Sequence, residues 1–479
     1  MTKFKKYENY KNTDIVWLNN IPSHWEELPN RYFLKDLKSK VGNNSSQYTL
    51  LSLTKRGVIV RDLSEMKGKF PAEFNSYKIV NEGNLILCLF DIEETPRTVG
   101  LAKNKGMITG AYNVLEINNI NPKFLTYFYI ALDNTKELRS MYRGLRKTIK
   151  IGKFLSIKTP YPSIEEQDKI VNFIEHKEKQ INNLIKKQKK LIELLEEKKK
   201  TIITEAVTKG LDKSVPMKDS NIDYIGQIPQ NWQVIKLKYI TLCNKYSLEE
   251  QTDKNKQINY IDIGSVTNKD GITDVQEMLF KDAPSRARRI VHTNDTIIST
   301  VRTYLKAIAY IDEKYDNYIC STGFAVITPK NNIDSKFLFY LLHSDKFICE
   351  VERISTGANY PAITPTKLIN LKCLMPNIQE QIKIRKYVEN VELKINKSID
   401  YKNLLINKLK EYKKALISYA VTGQIDVRNY EILETDDNIK LEEFANISED
   451  NKETISEVEY ANNWYVWKRF RKSYWEIFA

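Results

Sequence analysis

Apolar residues recur at heptad spacing along two long stretches, 162–210 and 376–424. In the first, Ile170, Ile174, Ile181, Leu184, Leu191, Leu195 and Ile202 share one seam; in the second, Ile384, Val388, Val391, Ile395, Leu405, Leu409 and Leu416 do. This spacing returns side chains to one helix face, so each stretch is expected to form one long helix with a packing seam. Polar residues interrupt the seam at Lys177, Gln188, Ser398 and Lys402, positions of a kind that fixes register at some cost in stability. Ser163 with Glu166 makes a capping box, and Asn377 with Glu380 its counterpart, each just after a proline. About forty helical residues extend roughly 60 Å at 1.5 Å per residue.

The two stretches are copies. P-S-I-E-E-Q at Pro162 and P-N-I-Q-E-Q at Pro376 stand 214 residues apart, and A-V-T at Ala206 and Ala420 keeps that offset. I-P-S-H-W ending at Trp25 returns as I-P-Q-N-W ending at Trp232, an offset of 207. A period this long excludes a solenoid and means two half-molecules in one chain. Each helix then has the other as its natural antiparallel partner. Trp25 and Trp232 are expected in the cores.

Between the helices the pattern shifts to short β-type runs. They lie at 48–53, 57–60, 84–90 and 112–117 in the first half, and at 296–300, 307–311 and 324–328 in the second. A helical segment follows each set, at 122–132 and 334–343. The expected fold class is α+β: two similar α/β domains separated by two long antiparallel coiled-coil helices, with an internal pseudo-twofold repeat. The expected division is an N-terminal segment 1–20, a first domain 21–161, a helix 162–210 and a linker 211–227. A second domain 228–375, a helix 376–424 and a tail 425–479, acidic and then aromatic and basic, complete it.

A net charge of +14 over 479 residues points to a polyanionic partner, above all nucleic acid. Five cysteines without a C-x-x-C pair read as buried thiols in a reducing cytoplasm. Behind M-T-K-F-K-K there is no apolar leader, and no run is long enough to span a membrane.

Catalytic patterns are weak. There is no glycine-rich phosphate loop, and the four histidines lie far apart, so no metal site is expected. N-P-K-F at Asn121 lacks the second proline and the upstream G-x-G of an adenine methyltransferase, and reads as a strand-to-helix turn. Asp91, Glu93 and Glu94 lack a following E-x-K, and read as an acidic loop rather than nuclease ligands. Basic and polar loop residues carry more. In the first domain they are Lys55, Arg56, Arg61, Arg97, Arg143, Arg146 and Lys147; in the second, Arg286, Arg288, Arg289, Arg302, Tyr304, Asn359 and Tyr360. Arginine grips guanine bidentately, asparagine reads adenine, and lysine or arginine neutralises phosphate. P-R-T-V-G aligns Arg97 with Arg302, and Y-R-G-L-R aligns Gly144 with Gly357. On the helices, Ile174, Ile181, Leu184, Leu191, Leu195, Val388, Ile395, Leu405 and Leu409 are the candidates for packing or subunit docking.

The paired I-P-x-x-W elements, the P-x-I-x-E-Q helix starts and the A-V-T-K-G helix end, duplicated and in order over roughly residues 14–424, resemble the specificity subunit of Type I restriction-modification systems. The resemblance implies a bacterial defence protein that does no catalysis itself. Each domain would be a target recognition domain reading one half of an asymmetric, bipartite double-stranded DNA target. The helices would set the spacing and dock two methyltransferase subunits, with restriction (translocase) subunits joining them. S-adenosylmethionine, ATP and magnesium would belong to those partners, and this chain would hold no cofactor. The tail departs from the family pattern. The alternatives are a stand-alone coiled-coil DNA-binding or scaffold protein and, less in keeping with the motifs, an adenine DNA methyltransferase.

Overall fold

The computed structural model describes residues 4–61, 74–142 and 147–432. The chain forms two compact units, one of residues 1–187 with 404–479, the other of residues 188–403.

In the first unit a four-stranded antiparallel sheet is built from β1 (Leu34–Leu37), β4 (Leu85–Leu87), β5 (Val99–Leu101) and β6 (Asn113–Ile117), in the order β1-β6-β4-β5. A hairpin of β2 (Leu51–Thr54) and β3 (Gly57–Val60) adjoins it. Helix α1 (Pro122–Thr135) follows, capped by the Asn121 side chain, which accepts from the amides of Lys123 and Phe124. Its apolar face buries Phe124, Phe128 and Leu132 against Ile170, Phe173 and Ile174 of the long helix α2 (Ile164–Lys209).

The second unit repeats this frame. Its first sheet has the order β7-β14-β11-β12, from β7 (Thr241–Cys243), β11 (Thr296–Ser299), β12 (Ile308–Tyr310) and β14 (Phe324–Pro329). A second sheet, of order β9-β8-β13-β10, joins β8 (Gln257–Ile261), β9 (Gln276–Leu279), β10 (Ala287–Ile290) and β13 (Ile319–Ser321). Sequence reasoning missed this sheet; its strands are short and two of them begin with an exposed glutamine, Gln257 and Gln276. Helices α3 (Ser335–His343) and α4 (Asp345–Ile354) pack under the frame, and α5 (Ile378–Val421) is the second long helix.

The duplicated motifs form one repeated joint. In the second unit, buried Trp232 donates from Nε1 to Glu380 at 2.9 Å. In the first, Trp25 donates to Glu166 at 3.1 Å, the Tyr7 hydroxyl donates to the same oxygen at 2.7 Å, and His24 Nε2 lies 2.9 Å from the other. The glutamine after each glutamate clamps the neighbouring helix start. Gln167 accepts from the Asn121 amide at 2.7 Å, and Gln381 from the Asp334 amide at 2.9 Å. Tyr127 bonds Glu178 and Tyr340 bonds Glu392, about three helical turns further on. The I-P-x-x-W and E-Q motifs are thus two sides of one buried contact.

Each unit combines the start of one long helix with the end of the other. Leu416, Ile417, Ala420 and Val421 of α5 belong to the first core, while Ile203, Ala206 and Val207 of α2 belong to the second. The helices pair antiparallel within each: Lys413 meets Glu178 and Asn182 in the first unit, and Lys199 meets Asn396 in the second. Gly423 ends α5 at φ 71°, where an added Cβ would lie 2.4 Å from Pro22 Cδ and 3.1 Å from the Trp25 ring.

The connecting segments are not passive. Residues 10–12 pair with 20–22 in the first unit, and 217–219 pair with 227–229 in the second, so the expected N-terminal segment and the expected linker hold the same repeated hairpin. Tyr7 and Ile15 are buried. The start of the expected tail is also structural: Val427 is buried and Tyr430 packs on Phe173 and His176. Its remainder, 433–479, lies outside the described residues.

The helix seam holds at Ile174, Ile181, Val388 and Ile395, which are buried; Leu184, Leu195, Leu405 and Leu409 are half-buried. Leu191 is a correction to the expected seam: it is 36% exposed, while Gln188 is 5% exposed. An α-helix turns every 3.6 residues, so a seam counted at 3.5 drifts by about 20° per heptad. Ile399 and Ile406, absent from the heptad reading, are buried instead.

Candidate nucleic-acid interface

Two loops of the second domain are locked into one exposed platform. The first follows β11. Arg302 (φ 51°) and Lys306 (φ 52°) both adopt left-handed backbone and flank a single 3₁₀ turn, Thr303–Leu305. Non-glycine residues avoid this region unless surrounding contacts hold them there. Those contacts come from the second loop, beyond α4. Thr356 and Ala362 exchange backbone hydrogen bonds at 2.9 Å, closing G-A-N-Y-P into a tight loop. Gly357 sits at φ 118°, and a Cβ there would come within 3.0 Å of the Tyr360 carbonyl. The loops are stitched by Thr303 Oγ1 to Ser355 Oγ at 2.9 Å, by the Ile363 amide to the Thr300 carbonyl at 2.8 Å, and by a Val301–Ala362 bridge.

This brings together four candidates far apart in sequence. Arg302 lies over the Tyr360 ring, 5.0 Å from its centroid, and makes no ion pair among the described residues. Tyr304 is 50% and Tyr360 65% exposed, and Asn359 is exposed between them. Thr303 and Ser355, which position the platform, went unmarked in the sequence, since the signal is a contact across 52 residues. Lys306 is held back by Glu352, whose hydrogen bond also pushes the Lys306 pKa up.

The three arginines of R-A-R-R, Arg286, Arg288 and Arg289, have different surroundings. Arg288 and Arg289 lie in the edge strand β10 and Arg286 just precedes it; Arg286 and Arg288 are engaged and Arg289 is partly enclosed. Arg286 donates to Tyr260 at 3.2 Å and pairs with Asp262 at 3.0 Å. Burial alone would raise the Asp262 pKa, but the Tyr260 hydroxyl, Arg286 and the amides of Ile263 and Gly264 outweigh it and hold the carboxyl below its usual range. Arg288 lies on the Phe280 ring. Arg289 has Nε and Nη1 buried without a hydrogen-bond partner, and burial lowers its pKa. Of the three, Arg286 keeps the most open side chain, 55% exposed. Its carbonyl accepts from the Thr322 amide, and the Gly323 carbonyl accepts from the Thr300 amide, so one turn connects it to the Arg302 loop.

In the first domain the corresponding chemistry is tied up. Arg97 pairs with Asp133 at 3.0 Å and is only 18% exposed; Asp133 is 1% exposed and also accepts from Lys136 and Thr98. Arg97 therefore neutralises a buried carboxylate through Nη1, whereas Arg302, with which the sequence aligned it, makes no ion pair among the described residues. Lys147 pairs with Glu93 and Glu94, so that acidic loop is one side of an ion-pair cluster. Lys55 and Arg56 stand exposed at the tip of the β2–β3 hairpin, and Arg61 is engaged beyond its end. Arg143, Gly144 and Arg146 lie outside the described residues.

The comparisons with known proteins agree with one another. Residues 229–411 match the family model of the Type I restriction modification DNA specificity domain. The Type I restriction enzyme MjaVIII specificity subunit of Methanocaldococcus jannaschii is 27% identical over 413 residues, covering 81% of this chain and 90% of the relative. The putative MjaX specificity subunit of the same organism is 24% identical over 413 residues, covering 82% and 92%. A solved structure, described as the basis of complex assembly and conformational transition of the type I R-M system, shares the fold. It has a TM-score of 0.59 and 14% identity, over 85% of this chain and 99% of that one.

Proposed function

We infer the role of this chain from the family it belongs to, the DNA specificity subunits of Type I restriction-modification systems: it selects the DNA sequence on which partner subunits act. The observation that carries the reading is one scaffold used twice with different loop chemistry. A free Arg302 stands on Tyr360 in the second domain, where the aligned Arg97 of the first is bound to Asp133. Two readers that differ in this way recognise an asymmetric target in two halves. The basic balance supplies phosphate attraction, and with it a steep salt dependence.

In this reading the long helices set the spacing of the two half-targets and dock two methyltransferase subunits, with restriction subunits joining them. S-adenosylmethionine, ATP and magnesium are brought by those partners, and the chain alone neither methylates nor cuts. In the same reading the chain works in the cytoplasm, with the DNA; among the described residues no helix is long and apolar enough to cross a membrane. The test is an exchange of residues 26–160 for the matching domain of another family member. Methylation mapped across a genome carrying the full system should change in one half-target only. An unchanged target, or methylation by the isolated chain, overturns the reading.

A further inference from the structure

We propose that Arg302 is the guanine reader of the second domain, with Tyr360 as the residue that orients it. The proposal rests on the DNA-recognition reading above and assigns one base contact within it.

The first argument is availability. Among the second domain's candidate arginines, Arg286 is paired with a carboxylate, half-buried Arg288 already donates Nη1 to the Ala287 carbonyl, and Arg289 has Nε and Nη1 buried. Arg302 is exposed and has no such partner. The second is orientation. A phosphate contact needs only a positive charge within reach, and a flexible lysine serves. A base contact needs the planar guanidinium held so that two N–H groups meet guanine O6 and N7 together. Here the backbone is fixed in the left-handed region and the guanidinium lies over an aromatic ring, which restricts its plane before DNA arrives. The third is rigidity. Tyr360 is itself held by the closed Thr356–Ala362 loop, and that loop is stitched to the Arg302 turn by Thr303 and Ser355. Backbone in a disfavoured region, sustained by a network of contacts, marks a position where geometry matters. Exposed Tyr304 and Leu305 beside it offer apolar surface to neighbouring base edges.

The experiment selects binding sites from a randomised duplex library with the full chain, wild type and variants, and reads preference position by position. Wild type should yield a bipartite motif with a guanine in the half read by the second domain. Arg302→Lys keeps the charge and loses the fork, so preference at that one base pair should fall by about 5- to 150-fold, with every other position unchanged. Tyr360→Ala should weaken the same position and no other, and Tyr360→Phe, which keeps the ring, should restore it. Circular dichroism of each variant should match wild type, since both side chains are exposed.

A loss spread evenly over all positions in Arg302→Lys would make Arg302 a phosphate contact and overturn the proposal. So would an unchanged motif, or a shift at an adenine rather than a guanine. In those cases a wild-type bipartite motif leaves the recognition reading standing. A wild-type chain that selects no motif sinks both.

Discussion

Glu166 offers the sharpest test of how the units are held together. It is 5% exposed and accepts from the Tyr7 hydroxyl and the Trp25 indole, both buried, as well as meeting half-exposed His24. Burial, reinforced by the Glu166 carboxylate, pushes the Tyr7 pKa far above the ordinary phenol value, so that hydroxyl stays a donor. Glu166→Ala strands two buried donors. At about 1–3 kcal/mol for each buried group left unpaired, the joint weakens by about 2–6 kcal/mol. The equivalent Glu380→Ala strands only the Trp232 indole, because its second donor, Asn231, is exposed and 3.5 Å away. Its cost is about 1–3 kcal/mol. Hydrogen exchange by mass spectrometry reads the two joints separately on the full chain. Amides around Trp25 and residues 412–427 should exchange at least about 30-fold faster in Glu166→Ala, with those around Trp232 unaffected. Glu380→Ala should do the reverse, more weakly. Acceleration below about threefold at Trp25, or equal acceleration at both tryptophans, would refute the assignment of these glutamates as the joint.

Three further outcomes follow from the same contacts. Arg97→Ala removes one of the two cations on Asp133, leaving Lys136 and Thr98, and should destabilise the first unit by about 1.5–3 kcal/mol, whereas exposed Arg302→Ala should stay within about 0.5 kcal/mol, both read by denaturant unfolding. Asp262 ionises more readily in the folded chain, so the stability it supplies is complete above its unfolded pKa of about 4 and drains as pH falls through the folded value; Asp262→Asn should flatten that part of the acid-unfolding curve. Burial pushes the thiols of Cys320 and Cys373 up to about 12, so iodoacetamide at pH 8 should label exposed Cys349 quickly and leave those two untouched until the chain unfolds.

The long helices and their caps were legible in the sequence because they are local and repeated. Periodicity, a Ser163 or Asn377 cap and a fixed offset need no knowledge of the fold. The first sheet of each domain was legible too, as runs such as 112–117 and 324–328. What stayed hidden depends on contacts between distant residues. Arg97 and Arg302 look alike in sequence, and Asp133, 36 residues beyond Arg97, separates a buried ion pair from an arginine with no ion pair among the described residues. The sequence offered Arg286, Arg288 and Arg289 as DNA-binding candidates and could not show their partners, because Asp262, Tyr260 and Phe280 lie on other strands and turns. Leu191 left the seam through the small mismatch between helix pitch and heptad count, which accumulates with length.

The sharing of helix ends between the two units has a consequence for synthesis. The second unit is contiguous in sequence, 188–403, and can close as soon as it has left the ribosome. The first cannot, since its core includes Leu416, Ala420, Val421 and Val427. At roughly 5–20 residues per second, the 240 residues from 188 to 427 take about 12–48 s to make. For that interval Trp25, Phe173 and Ile174 await the segment that covers them. The domain made first is therefore the last to be finished, and the nascent chain is most open to chaperones, or to aggregation, at its N-terminal half.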